Sequence, residues 1–78
     1  MNFDIDLNLT TPNARAGRPP RIIVKQALQT LESGKVLRVT TGSPIFSTVV
    51  STVCTNNNST LLEQSQNGNE WVFFIRKN

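Results

Sequence analysis

Few side chains in this sequence of 78 residues can do chemistry. It contains one cysteine, Cys54, and no histidine. A zinc or haem site needs several soft ligands, so we expect no metal ion and no cofactor. Catalysis by a histidine base is excluded, whether the base acts alone or in a Ser-His-Asp or Cys-His arrangement. The composition therefore points away from enzymes that depend on a metal ion or an imidazole.

Positive charge is concentrated in one stretch of a chain whose net charge is +3. Between residues 7 and 31 the only charged residues are Arg15, Arg18, Arg21 and Lys25. Such a cluster could bind an acidic protein surface or a phosphate backbone. It is equally typical of a solvated start of a helix, so the cluster alone leaves these alternatives open.

The last apolar segment is rich in aromatic residues. Strand alternation predicts Trp71, Phe73 and Ile75 on one face, and Val72 and Phe74 on the other. One set suits a core, which would leave the other partly exposed. An exposed apolar sheet face usually indicates a protein contact or a dimer, and stacking on nucleobases is the alternative.

The elements that must position these residues begin with a strand. Phe3, Ile5, Leu7 and Leu9 alternate with polar residues, which is typical of a half-buried strand at a sheet edge. Residues 10–18 contain proline, asparagine and glycine and therefore predict a loop.

A helix is predicted next. Pro19 and Pro20 suit its first turn, and Gly34 is expected to end it in a left-handed conformation. Arg21 and Lys25 fall on its polar face, because the apolar residues recur at helical spacing: Ile23, Val24, Ala27, Leu28 and Leu31. A strand over Val36, Leu37 and Val39 follows.

Residues 45–54 set local propensity against periodicity. They are rich in β-branched residues, which favour a strand. Their apolar positions nevertheless recur every three or four residues, and Ser43-Pro44 suits the start of a helix. We therefore predict a helix over residues 45–55, ended by Asn56–Asn58, with one asparagine in the left-handed conformation.

Two more strands complete the order βαβαββ. Leu61 and Leu62 lie in the third strand, Asn67-Gly68 predicts a hairpin turn, and residues 71–77 form the last strand. The expected fold is α+β: a two-layer sandwich in which a four-stranded mixed sheet has two helices on one face. We expect a single domain over residues 1–78.

These elements resemble the TusA/SirA-type small sulfur carriers. In that family a strand and a loop end in Cys-Pro-x-Pro at the start of the first helix. Residues 20–28 (PRIIVKQAL) are similar to that helix, and Leu31, Gly34, Val36 and Leu37 resemble the pattern that follows it. The similarity extends through Ser43-Pro44, Val53-Cys54, Leu61-Leu62 and the final residues 74–77.

The resemblance also shows what this chain lacks. With Pro20 on the second proline of the family motif, Gly17 replaces the sulfur-carrying cysteine and Arg18 replaces the first proline. A thiol at that place is activated by the helix N-terminus, accepts sulfur from a cysteine desulfurase as a persulfide and hands it on. Glycine has no nucleophile, so we expect no such chemistry. Cys54 matches a different cysteine of the family and falls on the apolar stripe, which predicts a buried, inert thiol.

The resulting hypothesis is a non-enzymatic binding or regulatory module derived from this family. It would dock a protein partner, such as a cysteine desulfurase or a redox enzyme, through a corner at the first helix: Arg15, Gly17, Arg18, Arg21 and Lys25. The alternatives are a nucleic-acid-binding domain that uses the same cluster, and sulfur transfer through an exposed Cys54. No signal peptide and no membrane-spanning run is recognised, so we expect a cytoplasmic protein. The sequence leaves the oligomeric state open.

Overall fold

A computed structural model describes residues 2–10 and 18–78 of the chain. The elements are β1 (Ile5–Leu9), α1 (Pro20–Thr30), β2 (Val36–Thr41), α2 (Pro44–Asn56), β3 (Ser59–Asn67) and β4 (Glu70–Lys77). The predicted order βαβαββ is therefore confirmed. Most of the predicted loop over residues 10–18 lies outside the described residues.

The four strands form one mixed sheet in the order β1-β2-β4-β3. β1 pairs with β2 in parallel, as expected of strands joined through a helix, and β4 runs antiparallel to both β2 and β3. Gly68, with φ of +64°, starts the two-residue turn between β3 and β4. The last strand of the sequence thus lies inside the sheet, and the predicted edge position of β1 is confirmed.

Both helices pack on one face of the sheet, as predicted. α1 contributes Ile23, Val24 and Leu28 to the core, and α2 contributes Phe46, Val50 and Cys54. Leu37 and Val39 from β2 meet them together with Phe73 and Ile75 from β4. The rings of Phe46 and Phe73 pack edge to face with centroids 5.1 Å apart, a favourable geometry for two aromatic rings.

The segment with conflicting signals is a helix. α2 spans Pro44–Asn56, and its buried residues are spaced four apart. Ser43 precedes the helix, and its side chain makes no capping hydrogen bond. Asn58 adopts the left-handed conformation with φ of 53°, as predicted for one of the three asparagines. Neither helix of the described residues is long and apolar enough to cross a membrane.

The predicted end of α1 was wrong by several residues. The helix ends at Thr30, and Leu31 follows it in an extended conformation with only 6% of its surface exposed. The chain leaves the helix at this point because Leu31 must turn into the core. Gly34 does have a positive φ, +85°, but it lies in the turn that leads to β2.

Candidate functional site

Two prolines fix the start of α1. Pro19 precedes the helix and Pro20 is its first residue, and neither has an N–H group. The amides of Ile22 and Ile23 donate to the carbonyl oxygen of Pro19 at 3.1 and 3.4 Å. Among the described residues, only the Arg21 amide of this turn lacks an acceptor. The corner therefore offers fewer backbone donors than a typical helix N-terminus, and its attraction for anions depends on side chains.

Three of the five predicted binding residues lie in the described part of the chain. Arg18, Arg21 and Lys25 are exposed, whereas Arg15 and Gly17 fall outside it. The guanidinium group of Arg18 donates to the side-chain oxygen of Gln26, two turns along α1. Arg21 and Lys25 line a groove between the two helices. The structure thus brings Arg21 and Lys25 together, while Arg18 extends toward Gln26, which does not line the groove.

The groove between α1 and α2 has a volume of about 460 Å³. The α1 side contributes cationic side chains, and the α2 side contributes hydroxyl and amide groups such as those of Thr52 and Asn56. Half-buried apolar residues lie between these two sides. We call this surface the helix groove and define it by Arg21, Ile22, Lys25, Val49, Val53 and Asn56.

An exposed apolar side chain lies next to the helix groove. Ile45, the second residue of α2, is 72% exposed. It lines a smaller depression of about 60 Å³ together with Pro19, Pro20, Arg21 and Val49. Because Arg21 and Val49 also line the groove, the two hollows adjoin each other. A continuous apolar surface bordered by polar groups is typical of an interaction site.

The helix layer carries positive charge without a compensating acid. Neither α1 nor α2 contains an aspartate or glutamate. The one ion pair found in residues 2–10 and 18–78 joins Arg38 to Asp6 at 2.8 Å, on the strands rather than the helices. Arg21 and Lys25 therefore have no carboxylate partner among the described residues, and the helix groove is electrostatically suited to an acidic ligand.

Cys54 is buried, as predicted. Only 3% of its surface is exposed, on the side of α2 that packs against the sheet. Burial raises the pKa of this thiol to about 11, because an apolar environment disfavours the thiolate. Since the thiolate is the nucleophile, the thiol is inert at neutral pH. Sulfur transfer through Cys54 needs an exposure that the folded chain does not give it.

The sheet face opposite the helices holds a cluster that the sequence did not reveal. The predicted alternation in β4 is confirmed: Phe73 and Ile75 are in the core, and Phe74 points the other way. Phe3, expected on the apolar side of β1, instead packs on Phe74 with ring centroids 6.3 Å apart. The guanidinium of Arg38 lies 4.3 Å from the Phe3 ring centroid. A sequence signal for this cluster is Arg38, which interrupts the apolar residues Val36, Leu37 and Val39 of β2.

Comparison with known proteins was made by family models and by individual sequences. The family model described as sulfurtransferase TusA matches residues 19–77, about three quarters of the chain. No curated protein matches the sequence significantly. The family match spans both helices and β2 to β4, the elements that build the helix groove and most of the sheet. The chain therefore belongs to the TusA sulfurtransferase family.

Proposed function

We propose that this chain is a binding or regulatory module, without enzymatic activity of its own, that docks a protein partner of sulfur trafficking or redox metabolism. The observation that carries the proposal is the helix groove, where cationic Arg21 and Lys25 flank half-buried apolar residues and meet no acid on either helix. Exposed Ile45 extends this surface.

The absence of an accessible thiol separates this chain from a working sulfur carrier. By resemblance to the family motif, Gly17 takes the place of the carrier cysteine, and no cysteine precedes α1 in the sequence. Cys54 cannot replace it, because its thiol is buried and protonated at neutral pH. What this chain retains is the surface around the first helix, which supports a role in docking rather than in transfer.

The groove favours a protein segment that combines acidic and apolar side chains. Acidic groups would pair with Arg21 and Lys25, and an apolar side chain would cover Val49 and Val53. An arginine can bind a carboxylate through two parallel hydrogen bonds, which fixes its orientation as well as its charge. A cysteine desulfurase or a redox enzyme with an acidic rim would fit this description.

A nucleic acid is the second candidate partner, because Arg21 and Lys25 lie on α1, Arg18 lies just before it, and neither helix carries an acid. The two partners differ in their response to salt. Phosphate contacts release counterions, so the affinity for a nucleic acid falls steeply as salt rises. A protein held mainly by apolar contacts shows a shallow dependence.

The test starts with a pull-down from the native cytoplasm, with and without nuclease, and continues with the purified partner. We expect a protein partner that survives nuclease and binds with a shallow salt dependence. Replacing both arginines (Arg18→Ala, Arg21→Ala) should weaken binding about tenfold or more, because the change removes Arg21, which lines the groove, and Arg18, the cation just before α1. Each substitution should change the free energy of unfolding by less than about 0.5 kcal/mol, since both side chains are exposed.

Lys35→Ala is the matched control, because Lys35 is an exposed cation in the turn between α1 and β2, away from the groove. It should bind as tightly as the native chain. If the double variant binds every identified partner as well as Lys35→Ala does, the surface at the start of α1 is not the docking site. Loss of all partners after nuclease treatment would favour the nucleic-acid function instead.

A further inference from the structure

The sheet face that the helices leave uncovered has an apolar centre. Val72 and Phe74 lie there in β4, because they alternate with the core residues Phe73 and Ile75. Phe3 packs beside Phe74 and is 40% exposed. Val72 and Phe74 are half-buried but do not pack on the core. We call this surface the open sheet face.

Opposite charges stand at the two ends of this apolar centre. Glu70 and Arg76 are exposed and share the alternation of Val72 and Phe74, so all four side chains lie along one line of β4. Neither Glu70 nor Arg76 has an ion-pair partner in the described part of the chain. The line therefore reads acidic, apolar, apolar, basic, and a reversed copy of itself complements it at every position.

We propose that the open sheet face is the interface of a symmetric dimer of this chain. The two-fold axis lies in the plane between the sheets, at right angles to β4 and level with Phe73. The two β4 strands then cross in opposite directions, with Glu70 opposite Arg76 of the second copy, and Val72 opposite its Phe74. Each charge and each apolar group occurs twice in the contact, as an isologous interface requires.

The neighbouring strands tolerate the same arrangement. Arg38 pairs with Phe74 and Thr40 pairs with Val72 in the sheet, so Arg38 faces Thr40 of the second copy. Asp6, paired with Arg38, faces Asn8 of that copy by the same symmetry. No like charges meet on these two strands.

Two alternative face-to-face arrangements bring like charges together. An axis that runs along β4 places Arg76 opposite the Arg76 of the second copy. An axis that runs between β2 and β4 places Glu63 opposite Asp6, because both residues lie level with Phe74 and Arg38. Like charges directly opposed in an interface are unfavourable, so the charge pattern favours the antiparallel dimer over these two.

The size of the face predicts a weak dimer. The four strands lie about 4.8 Å apart, which sets the width of the open sheet face. Multiplied by the length of the β2–β4 pairing, this width gives a face area of roughly 400 Å². A typical stable interface buries about 800 Å² on each partner. We expect a dissociation constant on the order of 100 µM, so the dimer should form and dissociate with concentration.

Sedimentation velocity from about 10 µM to about 1 mM, the range that brackets this affinity, tests the proposal. The native chain should pass from monomer to dimer. Arg76→Glu and Glu70→Arg should each raise the dissociation constant about tenfold or more, because like charges then face each other. The double exchange Glu70→Arg with Arg76→Glu should restore dimerisation, since the two charges still pair. Circular dichroism checks that each variant is folded.

Two controls make the result specific. Lys35→Glu carries the same charge change as Arg76→Glu but lies away from the open sheet face, and it should dimerise like the native chain. Arg21→Ala should also leave the dimer unchanged, which separates this proposal from docking at the helix groove.

Three results would overturn the proposal. The first is a native chain that stays monomeric over the whole range. The second is a double exchange that fails to restore the dimer. The third is a monomer whose open sheet face binds a single-stranded RNA oligonucleotide and loses that binding on Arg76→Glu.

Discussion

At the scale of single residues, the position of a thiol decides what sulfur chemistry it can do. Cys54 packs among apolar residues on the inner side of α2, where its thiolate cannot be solvated. In the family motif the carrier thiol stands just before the first helix, an environment that favours the thiolate. The same functional group is therefore inert at residue 54 and reactive at the carrier position of the family.

We expect Cys54 to react slowly with a thiol reagent under native conditions, far more slowly than the same chain unfolded in denaturant. The reason is twofold: the side chain is almost fully covered, and its raised pKa keeps it protonated. Measuring the labelling rate by absorbance or mass in both states checks this. Equal rates in the two states would mean that the thiol is accessible and would return sulfur transfer to consideration.

The same pKa shift predicts how stability depends on pH. Well below the ordinary thiol pKa of 9.0, the thiol is protonated in the folded and the unfolded chain alike, so its contribution does not vary. From about 9 toward about 11 the unfolded chain loses the proton first, and the free energy of unfolding should fall. Denaturant titrations across this range, compared with Cys54→Ala, should show a smaller loss in the variant.

A thiol introduced at residue 17 tests whether this chain docks a cysteine desulfurase in the orientation that a sulfur carrier uses. If the partner is a cysteine desulfurase, the thiol introduced by Gly17→Cys should attack the terminal sulfur of the enzyme's persulfide. The S–S bond of that persulfide breaks, which leaves a thiol on the enzyme and a persulfide at residue 17. Intact mass measurement should show the gain of one sulfur atom. The native chain is the matched control and should gain none. An unchanged mass for Gly17→Cys beside an active desulfurase would contradict docking in the carrier's orientation.

At the scale of elements, α2 shows periodicity overriding propensity. Its β-branched residues favour a strand, yet Phe46, Val50 and Cys54 recur every four residues and all reach the core. Only a helix buries these three residues on one side. Tertiary packing therefore sets the conformation, and local preference is overruled.

Val50→Ala should lower the free energy of unfolding by about 1–3 kcal/mol, because a fully buried side chain is truncated and a cavity is left. Thr52→Ala, an exposed change of similar size on the same helix, should alter it by less than about 0.5 kcal/mol. Denaturant unfolding of both variants measures the difference. Equal effects would mean that α2 does not present Val50 to the core.

Patterns that repeat along the chain could be predicted from the sequence, and contacts that depend on a single residue could not. The order of the elements, the end of α2 and the buried Cys54 follow from spacing and turn residues. The end of α1 was misplaced because Leu31 leaves the helix to reach the core, which no local signal reports. Phe3 fits the alternation of β1 but packs on Phe74, a partner more than seventy residues away in the sequence.

At the scale of the whole molecule, the two layers have different surfaces. The helix layer presents cations and exposed Ile45, without an acid on either helix. The open sheet face mixes both signs of charge around Val72 and Phe74. A surface that carries only positive charge suits an acidic partner, whereas a surface that carries both charges suits a second copy of the same chain. A dimer through the sheet would leave both helix grooves facing outward.

The position of β4 has a consequence for synthesis on the ribosome. Of the four strands in the sheet β4 is made after the other three, yet it joins β2 to β3, which do not pair with each other. Until residues 70–77 have emerged, β3 has no partner strand and the core lacks Phe73 and Ile75. The nascent chain can pair only β1 with β2, so the sheet is completed in one late step rather than strand by strand.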